Sequence, residues 1–144
     1  HKEYRRQRQM CIRDRLSQGM RRMANPPADF DRPTFRALIA RADHAASNEE
    51  AWLCLEAAHI VGQLFFRPHM ETHLLMLRRA LRTGDVGEAA GQIMRLALAL
   101  PGHLTGRLPL GNPGRATVDA FTALPVRPEL AALIDEVRAA AFCV

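Results

Sequence analysis

Six histidines are spread along the chain, and two of them, His69 and His73, stand four residues apart in a stretch of helical spacing. Imidazoles at i and i+4 share one helix face and can together chelate zinc, copper, nickel or iron. Met76 follows three residues later on the same face, and its thioether would tilt such a site toward copper(I). In the preceding segment Glu56, His59 and Gln63 fall at i, i+3 and i+7. Glu-x-x-His on a helix is the pair that aims two ligands at one ion in di-iron bundles. The expected metal set is therefore Glu56, His59, His69 and His73, with Met76 as a soft ligand, and the expected cofactor is a transition metal: copper, zinc or iron. The bland alternative is a wet stripe on an otherwise buried helix, its histidines merely hydrogen-bonded. No Ser-His-Asp or Cys-His arrangement is legible. Glu56 as a general base would need a substrate site that the sequence does not display, so binding rather than catalysis is the expectation.

A second candidate lies at 101–127, a Pro- and Gly-rich segment far longer than most helix connections. Gly102, Gly106, Gly111 and Gly114 interleave there with Arg107, Asn112 and Arg115. Backbone amides in such a loop, with guanidinium groups beside them, can hold an anion, which makes Arg107, Asn112 and Arg115 candidate cofactor-binding residues. There is no Gly-Lys-Ser/Thr ending, so a P-loop is excluded. The competing and preferred reading is an ordered lid stapled across the bundle by Leu104, Leu108, Leu110, Val118, Phe121 and Leu124.

The elements that must position these residues read as helices. Asp31 caps the first, with Pro33 in its opening turn and Phe35, Leu38, Ile39 and Ala42 as its apolar stripe. Ser47 to Glu50 is a capping box opening a second helix to about Gln63. That helix is apolar almost all round, as the centre of a bundle is. Pro68 opens a third, with Met70, Leu74, Leu77 and Leu81 as its expected core stripe. Gly84 supplies a left-handed stop, and Asp85, with Glu88 three residues on, caps a fourth helix. Its stripe of Val86, Ala89, Ala90, Ile93, Leu96, Ala97 and Leu100 is expected to end at Pro101. A last helix starts near Pro128. Arg41-Ala42 and Glu50-Ala51 recur as Arg79-Ala80 and Glu88-Ala89, 38 residues on, close to the tetratricopeptide period. The expected fold is all-α: a single-domain bundle of two tetratricopeptide-like hairpins plus a C-terminal helix. A protein-protein interaction module is the alternative function, with a protein as the partner.

Composition narrows the classes further. The 144 residues are 48% hydrophobic and 24% charged, ordinary for a globular domain, and no apolar run is long enough to span a bilayer. The formal charge of +5 is misleading. Residues 1–23 hold eight Lys and Arg against two acids, and the remaining 121 hold twelve against thirteen. With a neutral body and few aromatics, neither nucleic acid nor membrane is an expected partner. Within the basic leader, Met10-Cys11-Ile12-Arg13-Asp14-Arg15 resembles a translated transposase-adaptor sequence. Residues 1–23 are accordingly expected to be non-native and disordered, with a natural start at Met20 or Met23 and the helical domain at 24–144. Cys11, Cys54 and Cys143 form no Cys-x-x-Cys pair, which points away from zinc fingers and disulfides and toward a reducing cytoplasm.

Three stretches carry a resemblance. Leu55-Glu56-x-Ala58-His59-x-x-Gly62-Gln63, then His69-x-x-x-His73 with Met76-Leu77, then Gly102-His103-Leu104-Thr105-Gly106-Arg107-Leu108-Pro109-Leu110-Gly111-Asn112-x-Gly114 resemble the bacterial domain-of-unknown-function family numbered 3703, over about residues 35–135. Arg115-Ala116-Thr117 and Arg127 depart from its pattern. The resemblance implies a small bacterial helical protein and assigns no activity.

Overall fold

The computed structural model describes residues 30–141; the basic leader, Cys11 and Cys143 lie outside that range. Five helices make up the described chain, without a strand: α1 (Arg32–Asp43), α2 (Asn48–Gly62), α3 (Phe66–Thr83), α4 (Val86–Thr105) and α5 (Pro128–Ala141). Local chemistry sets the ends. The Thr34 amide donates to Asp31 Oδ1 (3.2 Å), the Glu50 amide to Ser47 Oγ (3.0 Å) and the Glu88 amide to Asp85 Oδ1 (2.9 Å), each quenching an N-terminal donor the helix leaves free. The box at Ser47 closes one residue early, with Glu50 Oε2 accepting from the Ala46 amide (3.1 Å). Glu88 does not reach back to its cap at all; its carboxylate serves the site described below.

α2 is the hub, packing against α1, α3 and α5, while α1 with α2 and α3 with α4 form the two closest pairs. The repeated alanines Ala42, Ala51, Ala80 and Ala89 are all buried, small side chains that let the two helices of each hairpin approach. Phe35, Leu38, Trp52, Leu55, Met76, Leu130 and Leu133 belong to one apolar core between α1, α2, α3 and α5. Met76 is thus a core residue, fully buried among hydrocarbon.

Much of the stripes expected to face that core on α3 and α4 faces outward instead, although Ala89 is buried in the core and Leu77 packs against it. Leu74, Leu81, Val86 and Ile93 are 54%, 67%, 79% and 59% exposed. The buried faces are Pro68, His69, Thr72, His73, Met76 and Ala80 on α3, and Glu88, Ala89, Gln92, Arg95 and Ala99 on α4. Most of these polar residues are hydrogen-bonded to one another or to the loop, which lowers the cost of burying them; Arg95 Nε is left without a partner among the described residues. The neighbouring leucines are left on the surface by default.

α4 also runs past Pro101, where the sequence suggests a stop. Pro101 forgoes an amide bond to the Ala97 carbonyl, yet one further turn follows before Gly106 closes the helix at φ 69°. The Thr105 hydroxyl donates to the Pro101 carbonyl (2.8 Å) within that turn. The irregular segment is therefore 106–127, shorter than 101–127. It is ordered, and of the residues expected to staple it Leu110, Phe121 and Leu124 are exposed, Leu108 and Val118 are half-buried and Leu104 lies within α4; hydrogen bonds supply much of the hold.

The inverted faces make a direct expectation. In urea unfolding, Met76→Ala will lose about 2–5 kcal/mol as a buried cavity forms. Leu81→Gln will stay within about 0.5 kcal/mol of the parent.

Candidate functional site

α2 and α3 are antiparallel neighbours joined by three residues, which brings His59, near the end of one, beside His69 and His73, near the start of the other. The three rings form an almost equilateral triangle, with centroids 4.8, 4.8 and 4.7 Å apart. One ring nitrogen from each lies within 4.8 Å of the other two, and all three residues are buried. His69 Nε2 and His73 Nε2 are 3.0 Å apart, close to the roughly 3.3 Å edge of a tetrahedron whose centre is about 2.0–2.1 Å from each nitrogen.

The surrounding bonds fix which nitrogens face inward. His59 Nδ1–H donates to the Asn112 carbonyl (3.0 Å), which can only accept, so His59 Nε2 carries a lone pair. That atom is buried and has no partner among the described residues. His73 Nδ1 meets Gln92 Oε1 at 2.7 Å. Gln92 Nε2 donates to Glu88 Oε1 (2.7 Å) and to the Gly114 carbonyl (2.9 Å). The amide orientation is thereby set, its oxygen must accept, and His73 Nδ1 holds the proton. His73 Nε2 is then a second inward lone pair. His69 is the adjustable member: its Nδ1 lies 2.8 Å from Nε2 of His103, on the added turn of α4. In the neutral cluster His69 Nε2–H donates to His73, and His103 Nε2–H donates to His69 Nδ1. Shifting one proton across each of the His69 and His103 rings reverses the bond between them, gives up the one to His73, and leaves lone pairs on both His69 Nε2 and His73 Nε2 with no change of charge.

Burial dominates the electrostatics. It holds His59 well below the usual imidazole range, helped by the other two rings. It pushes His69 down to about 2, and His73 and His103 to about 4. All four imidazoles are neutral at physiological pH, the state in which imidazole binds metals.

The loop completes the site. Asn112 is almost wholly buried; its Nδ2 donates to the carbonyls of Asp119 (2.7 Å) and Thr122 (3.0 Å), and its Oδ1 accepts from the Gly114 amide (3.0 Å). Gly114, at φ 83°, packs so closely that a Cβ there would stand 3.0 Å or less from three atoms of the His59 ring.

Of the five residues proposed from sequence as metal ligands, His59, His69 and His73 are brought together. Glu56 is buried but turned toward the loop, where Arg115 Nη1 donates to its Oε1 (3.2 Å) and Arg127 to its Oε2. Burial pushes the Glu56 carboxyl up while both guanidiniums pull it down. Met76 lies in the core, as described above. Among the loop candidates, Arg115 is committed elsewhere: its guanidinium stacks 3.9 Å from the Trp52 ring and donates to Glu88 Oε2 (3.0 Å) as well as to Glu56. Asn112 knots the loop and orients His59. Arg107 stands exposed at the mouth of a cavity of about 550 Å3, which His59, His69 and His73 also line.

Three participants escaped the sequence reading: His103, Gln92 and Arg95. The missed signal was a second periodicity. Glu88, Gln92, Arg95 and Ala99 fall at i, i+4, i+7 and i+11, an inward stripe as regular as the apolar one beside it.

Fold and cluster together define a small all-helical protein with a buried, neutral, nitrogen-donor centre sealed on one side by a loop. The chain belongs to the family described as protein of unknown function (DUF3703), whose model matches residues 31–134. No curated protein and no solved structure matches it.

Two outcomes are expected of the metal-free protein. Depressed imidazole pKa values mean that the unfolded chain binds more protons than the folded one below 6.5. Stability is therefore full above that pH and falls as pH drops from 6.5 toward 4, and thermal melts across this window will show it. Gly114→Ala will keep its helical circular dichroism while the His59 ring resonances shift in the NMR spectrum, because the new Cβ displaces that ring.

Proposed function

We propose that the protein binds one divalent transition-metal ion through His59, His69 and His73, each by Nε2. The observation that carries the reading is the buried lone pair of His59 Nε2, unpartnered among the described residues in a group of three imidazoles whose ligand nitrogens lie within 4.8 Å of one another. A buried acceptor without a partner costs about 1–3 kcal/mol, and an ion at the centre of the triangle would relieve it. Gln92 and the Asn112 carbonyl act as the outer groups that ligating histidines require to fix their tautomer. His103 Nε2 accepts the hydrogen bond that His69 then donates from Nδ1. Three imidazoles without a thiolate suit zinc or another borderline ion, and with Met76 out of reach the copper(I) preference loses its basis. Three protein ligands leave a position open toward the cavity, as in sites that admit an exogenous ligand. A cytoplasmic setting fits the buried free thiol of Cys54.

Elemental analysis of the full chain purified without chelator tests this. One equivalent of metal is expected in the parent and none in a His59→Ala/His73→Ala variant. Cobalt(II) added to the chelated parent should give the intense visible bands of a tetrahedral site. Absence of metal in both proteins, with no cobalt spectrum, would sink the reading. Gln92→Leu, which touches no ion, is expected to weaken affinity by about 10–100-fold.

A second reading, a module that docks another protein, draws support from the exposed leucines of α3 and the exposed Val86 and Ile93 of α4.

A further inference from the structure

The cavity above the histidines has chemistry of its own. Its volume of about 550 Å3 is that of a small-molecule pocket, and Leu98, Ala99, Leu108 and Pro109 give it largely apolar walls. Its charged lining is of one sign: Arg95 and Arg107 are present, and no Asp or Glu lines it among the described residues. Arg95 is only 5% exposed. Its Nη2 donates to the carbonyls of Arg115 (2.5 Å) and Val118, and its Nε has no partner. The nearest carboxylates are engaged elsewhere. Glu88 accepts from Gln92, Arg115 and the Ala116 amide, and Asp119 from Thr122 and the Phe121 amide. A buried guanidinium paired only with neutral carbonyls is costly, and an anion inside the cavity would offset that cost. Arg107, exposed at the rim and in no ion pair among the described residues, adds a second cation on the way in.

We propose that this cavity binds a small amphipathic monocarboxylate, its anionic end drawn to Arg95 and Arg107 and its hydrocarbon body laid against the Leu98, Ala99 and Leu108 wall. A phosphate monoester would share the cationic groups, but the largely apolar walls favour the less hydrated anion. The site stands on the arginines and the walls and does not require the histidines to hold a metal. An ion there would add positive charge at the floor and strengthen the same preference.

The test is calorimetric titration of octanoate, with 1-octanol and octylamine as matched probes, into the full chain, once chelated and once loaded with zinc. Octanoate is expected to bind the chelated protein at least about tenfold more tightly than either matched probe. Arg107→Gln, a surface change with no structural partner, should weaken octanoate by about tenfold and leave octanol unaffected. Arg95→Lys, which keeps a charge at the wall, should retain more octanoate affinity than Arg95→Met, with circular dichroism confirming that both fold. Octanoate binding no tighter than octanol overturns the proposal, as does affinity indifferent to both arginines, which would place the probe on the outer leucines. Octanoate seen only with zinc and insensitive to both arginines would make it a plain metal ligand and likewise overturn it. Octanoate binding that follows the arginines in a protein unable to take up zinc would uphold this site and remove the metal reading alone.

Discussion

The arrangement turns on one buried side-chain amide. Gln92 is held by the Glu88 carboxylate on one side and the Gly114 carbonyl on the other, so its oxygen has a single role left, which is to accept from His73. This bond fixes the His73 tautomer, and through the 3.0 Å contact with His69 it reaches the rest of the cluster. Polar groups inside a protein are expensive unless every donor and acceptor is matched. Here the matching ties α3, α4 and the loop into one network, and α4 turns its polar face inward to supply it.

The loop is bound to the bundle by the same economy. Arg115 lies over Trp52 and reaches both Glu56 and Glu88, while Arg127 closes on the far oxygen of Glu56. Only the carboxylates of these pairs are buried, with Arg115 half-buried and Arg127 exposed, so the pairs add little net stability over apolar packing, while a carboxylate stripped of its guanidiniums is left stranded. Their value lies in register. They bring Asn112 and Gly114 to the one place where a carbonyl can orient His59 and a bare backbone can lie against its ring.

Much of this was legible in the sequence, and what escaped has a physical cause. Caps at Asp31, Ser47 and Asp85 and the left-handed glycine at 84 mark most helix ends because capping is local chemistry. His59, His69 and His73 could be grouped because a short link forces α2 and α3 to run antiparallel. The core faces of α3 and α4 could not be read, since hydrophobic periodicity presumes an apolar interior, and these helices bury His69, Thr72, Glu88 and Gln92 instead. Glu56 looked like a ligand because i, i+3 spacing puts it on the His59 face; its partners Arg115 and Arg127, 59 and 71 residues away, had no local signature. His103 was hidden by Pro101, which suggests a helix end one turn too soon.

The loop contacts also divide the molecule by sequence distance. α1 to α4 join neighbour to neighbour through short links, and their pairing needs little chain closure. His59 meets Asn112 across 53 residues, a pairing whose closure costs more chain entropy than the short links between consecutive helices. In the native state a lifted loop would release His59 to rotate about its side-chain bonds while α2 and α3 keep their own contacts. Anything held by that imidazole would then leave at a rate set in part by loop opening, and the hydrogen-bonded amide protons of Asn112, Gly114 and Ala116 are the clock on which that opening can be read.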